Sequence, residues 1–155
     1  MLFHIIVGFI LPWFLGLYLF RNQTRLFIIF YPIGSATSFF INEIGFAYFW
    51  KMDKELVAIL YDLGFYPIVC CLFIASIHFE KMSVITNFLV FTLGTNIFEL
   101  VIVLLGKLEY RNGWNIYWSA VSYLLAYLIV YGYYKIIQKH FAFKTPNDLE
   151  NDETL

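Results

Sequence analysis

Charge is what this chain has little of. Only 14% of its 155 residues are Asp, Glu, Lys or Arg, where a water-soluble domain carries roughly 25%. Hydrophobic residues make up 61% and aromatic residues 22%. A chain of this length cannot hide so much apolar surface from water, so lipid is expected to be the solvent for much of it. An excess of basic residues is also missing. The net charge of −1 leaves no electrostatic footprint for nucleic acid. Cysteine is scarce: Cys70 and Cys71 are adjacent in an apolar run. Neighbours in sequence have poor geometry for a mutual disulfide, so both are read as reduced packing residues rather than a metal or redox pair. The sequence contains no H-E-x-x-H, G-x-S-x-G or P-loop pattern. It shows no inverted repeat, which speaks against a complete monomeric transporter. The opening MLFHIIVGFILPWFLGLYLF lacks the basic n-region and small-residue cleavage site of a signal peptide, and is read as a membrane span.

What is present is a succession of apolar runs. Five occupy roughly residues 2–20, 26–50, 56–79, 84–105 and 116–138, each near or above the ~20 residues that cross a ~30 Å hydrocarbon core. Backbone groups in lipid must be satisfied within the segment, so such runs are helices and not strands. The connectors RNQTR, KMDKE and EKMS are tight and make successive helices antiparallel neighbours. The expected fold is therefore all-α: an integral membrane bundle of five transmembrane helices with short connectors, over residues 1–144. The second run is the longest, and is expected to tilt or carry an irregular turn. Residues 145–155, TPNDLENDETL, read as a flexible acidic tail. Tyr48, Phe49 and Trp50, then Trp114, Tyr117 and Trp118, then Tyr131, Tyr133 and Tyr134 fit an interfacial aromatic belt. His78 and His140 are expected among lipid headgroups at one face, with His4 interfacial at the other.

Five crossings put the termini on opposite sides. One side holds Arg21, Arg25, Lys81, Lys135, Lys139 and Lys144, and the other Lys51, Lys54, Lys107 and Arg111. Positive residues favour the cytoplasm, so a cytoplasmic C-terminus and an outside N-terminus in the cell membrane are expected.

Three acids fall inside the runs: Glu43, Asp62 and Glu99. Each is six or seven residues from the same face. At 1.5 Å per residue that is about 9–10 Å deep. An acid at the bilayer centre costs ~2.5–3.5 kcal/mol on insertion scales, so such groups normally face the bundle interior and find partners. Gly34, Ser38, Asn42 and Gly45 form a small, polar stripe beside Glu43. Thr92, Asn96 and Glu99 share a face of the fourth helix. Pro67 frees a carbonyl near Leu63 and is expected to bend the third helix. Lys51, Lys54, Lys107, Arg111 and His4 are candidate counter-charges. The turn at Asn112–Gly113 is positioned to fold Glu109, Arg111 and Asn115 over the helix ends. The candidate binding residues are thus Glu43, Asp62, Glu99, Asn42, Asn96, Arg111 and Asn115.

The segment YRNGWNIYWS, residues 110–119, preceded by Phe98-Glu99 and Gly106, resembles the distinctive connector of an uncharacterised family of small multi-pass membrane proteins found mainly in spore-forming bacteria. Asp62 and Pro67 in YDLGFYPI match a second element of that pattern. Glu43-Ile44-Gly45 resembles an acid–glycine element, with Phe46 where the family often has tryptophan. The resemblance implies a helical membrane fold and no activity.

Three readings of the acids remain. They form an acidic pocket near the outer face that binds or helps translocate a cation: a proton, a metal ion or an organic amine. Alternatively, they lock helices in a structural or interaction subunit. The third reading is a membrane-embedded hydrolase or transferase. The sequence leaves any cofactor or metal open. Lipid is the expected partner, with a homo-oligomer or a partner membrane subunit left open.

Overall fold

The computed structural model describes the backbone of residues 1–48, 50–51, 55–110 and 112–140, and the side chains of 1–44, 57–110 and 112–140. The acidic tail, Lys54 and Arg111 lie outside the described residues, as does the side chain of Lys51. Among the described residues, five helical spans are long and apolar enough to cross a membrane. Helix α1 (Leu2–Leu19) passes through a π-helical stretch at Ile5–Ile10. Helix α2 is Thr24–Tyr48. The third span is two helices, α3 (Glu55–Asp62) and α4 (Phe65–His78). Helices α5 (Val84–Leu104) and α6 (Ile116–His140) complete the bundle. The protein is an all-α, five-span membrane bundle.

The third span is its axis. It is 61% buried, against 17–22% for the other four. Gly34 of α2 allows a close approach to this axis, because a Cβ there would lie 2.9 Å from Cys70 Cβ and 3.0 Å from Pro67 Cα. Below that contact Phe30, Cys71, Phe73, Ile74, Val130 and Tyr134 form a core with almost no exposure. Cys70 and Cys71 are free, buried thiols within it. The other helices turn long apolar faces outward, such as Leu93 and Ile97 of α5, as lipid contact requires.

The irregular turn falls in the third span and not in the longest run. Helix α2 continues unbroken through Pro32. The break is at Leu63–Gly64, one turn before Pro67. Proline has no N–H for the carbonyl four residues back, and the Leu63 carbonyl instead accepts from Trp13 Nε1 at 2.8 Å and Tyr31 OH at 2.7 Å. Ser35 Oγ donates to the Asp62 carbonyl at 2.8 Å. Two other helices thus satisfy a break that would be costly in lipid. Gly64 is required there, since any Cβ would collide with the Gly8 carbonyl oxygen and sit 2.7 Å from Phe9 Cα.

A two-residue antiparallel ribbon ties two connectors together at one end of the bundle. Its strands are β1 (Trp50–Lys51) and β2 (Glu109–Tyr110), with Trp50 opposite Tyr110 and Lys51 opposite Glu109. This is the ribbon end. At the opposite end Arg21 lies 5.1 Å above the Tyr18 ring and Lys135 lies 5.6 Å above that of Tyr131, as headgroup-level side chains do.

Three residues expected at the interface are buried against other helices. His78 Nδ1 is 3.3 Å from Tyr134 OH, which is also buried. His4 is buried with Nδ1 3.0 Å from Tyr61 OH. Each imidazole thus meets a tyrosine hydroxyl on another helix.

Candidate functional site

Asp62 ends α3 at the break and is 2% exposed. Its Oδ1 accepts from Ser38 Oγ at 2.8 Å and from Asn42 Nδ2 at 2.6 Å. Tyr31, Ser35, Ser38 and Asn42 recur at four, three and four residues, so one face of α2 serves the whole break. The small, polar stripe therefore faces inward at Ser38 and Asn42. Glu43 is one residue further round, about 100° away, and is exposed.

Glu99 lies on α5 and is 5% exposed. Its Oε1 accepts from Tyr110 OH and from Ser119 Oγ, each at 2.7 Å, and its Oε2 accepts from Tyr123 OH. Trp114 Nε1 in turn donates to Ser119 Oγ at 2.9 Å. The ribbon brings Tyr110 to the carboxylate, and α6 brings Ser119 and Tyr123 at i and i+4. Burial, then the bond to Glu99 and its charge, hold the Tyr110 phenol above the ordinary tyrosine range. Tyr110 therefore remains a donor.

Both carboxylates are met only by neutral donors among the described residues. Lys107 is exposed. His4 engages Tyr61. Asn115 is the N-cap of α6, with Oδ1 accepting from Tyr117 N at 3.0 Å and Trp118 N at 3.4 Å, the usual task of such a residue. Asn96 Oδ1 is buried with no hydrogen-bond partner among the described residues. Its neighbour Thr95 faces α6 instead, with Oγ1 2.6 Å from Tyr127 OH.

Between the two acids lies a cavity of about 30 Å³, lined among others by Ser38, Asn42, Tyr66, Thr95, Tyr123 and Tyr127. Ser38 and Asn42 are the donors to Asp62, and Tyr123 is a donor to Glu99. Tyr66 OH is 3.3 Å from Tyr123 OH. The two carboxylates thus stand behind their own hydrogen-bond partners, and partners of each line one shared space. No group of three or more His, Cys, Asp or Glu side chains converges among the described residues.

Sequence reasoning placed Ser38 in the inward stripe but missed Tyr66, Tyr110, Ser119 and Tyr123 as members of this network. A signal existed for α6: Ser119, Tyr123, Tyr127, Val130 and Tyr134 follow a four-and-three spacing, the stripe of a packed helix. Tyr110 had none, since a two-residue strand has no periodicity to read.

The fold and site define a class: a five-span, all-α integral membrane protein with two carboxylates buried in one half of its bundle. Beyond that class, no protein-family model, curated protein or solved structure matches the chain.

Proposed function

We propose that this protein binds a cation at its buried carboxylates, through a pocket near the ribbon end, and that this end faces outward with the C-terminus in the cytoplasm. The observation that carries the reading is that, among the described residues, Asp62 and Glu99 are buried with neutral donors alone, and donors to each line one shared cavity. Each acid costs ~2.5–3.5 kcal/mol to place at the centre of a bilayer. A lock of neutral hydrogen bonds, worth ~0.6–2 kcal/mol each between membrane helices, needs only an amide. Two acids in place of two amides favour a use for the charge. Kinship with the small multi-pass family of spore-formers belongs to the same proposal, supported by the 110–119 segment and Asp62–Pro67.

A second reading has its own observation. Each carboxylate already bonds to neighbouring helices, as a helix lock would. Amide substitution separates the two. Asp62→Asn and Glu99→Gln keep size and hydrogen bonding but remove ionisation. Full-length protein in lipid nanodiscs is titrated with protons, sodium, calcium, manganese and tetramethylammonium. We expect uptake of at least one of these, lost in the double amide variant while helix content is retained. Unchanged uptake in that variant, or no uptake by the wild type, leaves the lock as the function.

A further inference from the structure

We infer that the cation is a proton, and that Glu99, Tyr123, Tyr66 and Asp62 form a proton-sharing chain entered from the ribbon end and closed at the other. This rests on the carboxylate-binding reading above and gives it a ligand and a route.

Donor chemistry selects the proton. Neither carboxylate lines the neighbouring cavity, so an organic ammonium ion lodged there would touch no charged group. A hard metal ion would need at least six oxygen ligands. Here Glu99 Oε1 already accepts two hydroxyls and Oε2 a third, and neither carboxylate lines the cavity itself. A proton needs only a lone pair at each end and groups between that can donate and accept.

Hydroxyls do both. Tyr123 OH donates to Glu99 Oε2 and is 3.3 Å from Tyr66 OH. Tyr66 and Ser38 line the same cavity, and Ser38 donates to Asp62. The proposed chain takes one water into this space, between Tyr66 OH and Ser38 Oγ. Entry is at Tyr110, whose hydroxyl caps Glu99 from the ribbon. A hydronium outside gives a proton to the Tyr110 oxygen as the Tyr110 O–H proton passes to Glu99. The net change is hydronium plus carboxylate to water plus carboxylic acid. Onward transfer moves one proton from Glu99 through Tyr123, Tyr66, water and Ser38 to Asp62. Each hydroxyl loses one proton and gains one, so Glu99 ends ionised and Asp62 neutral.

The chain stops inside the bundle. At the cavity wall Tyr127 OH and Thr95 Oγ1 pair at 2.6 Å, and Thr95 Oγ1 also donates to the Phe91 carbonyl, so both hydroxyls are engaged with each other and with α5. The next layer is aromatic: Phe73 lies 4.8 Å from Tyr127, 5.5 Å from Phe91 and 5.1 Å from Phe88 between ring centroids. A route of this shape makes a proton receptor and not a conductor. Other titratable groups about it are Cys70 and Tyr127 at the cavity, Tyr61 and His4 beside Asp62, and exposed Glu43 on α2.

The test is an external acid jump on full-length protein in sealed liposomes. Time-resolved infrared spectra follow the carboxylic C=O bands, assigned with Asp62→Asn and Glu99→Gln, and a trapped dye reports internal pH. Glu99 is expected to protonate first and Asp62 second. Tyr123→Phe and Tyr66→Phe should keep both bands but slow Asp62 by about tenfold or more, the factor that ~1.4 kcal/mol of barrier produces. Internal pH should change no faster than in empty liposomes. Asp62 protonating at the wild-type rate in both phenylalanine variants overturns the chain and leaves carboxylate binding intact. Fast internal acidification overturns the closed end. Carboxyls that do not titrate, with a metal or tetramethylammonium bound instead, overturn the proton alone. Carboxyls that neither titrate nor bind any cation overturn both readings.

Discussion

The two halves of this bundle handle the same solvent in opposite ways. Toward the ribbon end the third span is broken, its carbonyls are claimed by Trp13, Tyr31 and Ser35, and two acids are buried among hydroxyls. Toward the opposite end α4 runs unbroken into Phe73, Ile74 and Ile77, packed by Phe30, Val130 and Tyr134. The difference teaches where a membrane bundle can keep polar chemistry. Lipid tails are as apolar as leucine, so side-chain packing and hydrogen bonds hold the helices together. One half relies mainly on interlocked aromatic and aliphatic side chains. The other relies on hydrogen bonds, and a broken helix is the source of the extra acceptors.

The largest expected effect breaks the polar half at its hinge. Gly64→Ala puts a Cβ against the Gly8 carbonyl and 2.7 Å from Phe9 Cα. Both neighbours are backbone, so no rotamer change relieves the clash. A loss of ~3 kcal/mol is expected, at the upper end for overpacking, read as a lower melting temperature in detergent. Gly94→Ala is the control, with nothing within 4 Å of its Cβ, and should stay within ~0.5 kcal/mol. Equal effects at the two positions would mean that α1 and the break do not touch as described.

Phe73→Ala strikes the dry half and should cost less. In water such a change costs ~3–5 kcal/mol, much of it from transfer out of water. The bilayer removes most of that part, leaving lost packing of about 2 kcal/mol. The same melting assay checks it. A cost well above that of Gly64→Ala would reverse the ranking of the two halves.

The sequence makes the dry half easier to foresee. Five apolar runs give five spans, and the Ser119-to-Tyr134 spacing marks the face of α6 that packs inward. Pro67 also betrays the break, because a missing N–H is a local property. The partners of the break are not local: Trp13 and Tyr31 arrive from helices 50 and 32 residues away. The three acids share a depth by counting, but depth is not direction. One residue on a helix is about 100°, and that separates inward Asn42 from exposed Glu43. Asn115 shows the same limit, since its place before an apolar run suits a cap as well as a ligand.

The smallest expected effect separates the ribbon from the bundle beneath it. Tyr110 joins the two through one hydroxyl on Glu99. Its phenol is held above the ordinary tyrosine value of about 10, chiefly by burial and then by Glu99. A group whose folded value is raised lends stability that is whole below its unfolded value and is lost as pH climbs through the folded one. The ribbon should therefore hold up to about pH 10 and loosen above it, seen as faster amide exchange at residues 109–110 relative to α4. Tyr110→Phe removes the hydroxyl and should cost ~1 kcal/mol at neutral pH. It should also flatten that alkaline loosening, because the ribbon's own phenol is no longer there to ionise against Glu99. An unflattened profile in Tyr110→Phe would assign the alkaline transition to other phenols. The link between ribbon and carboxylate would then be a contact without energetic weight.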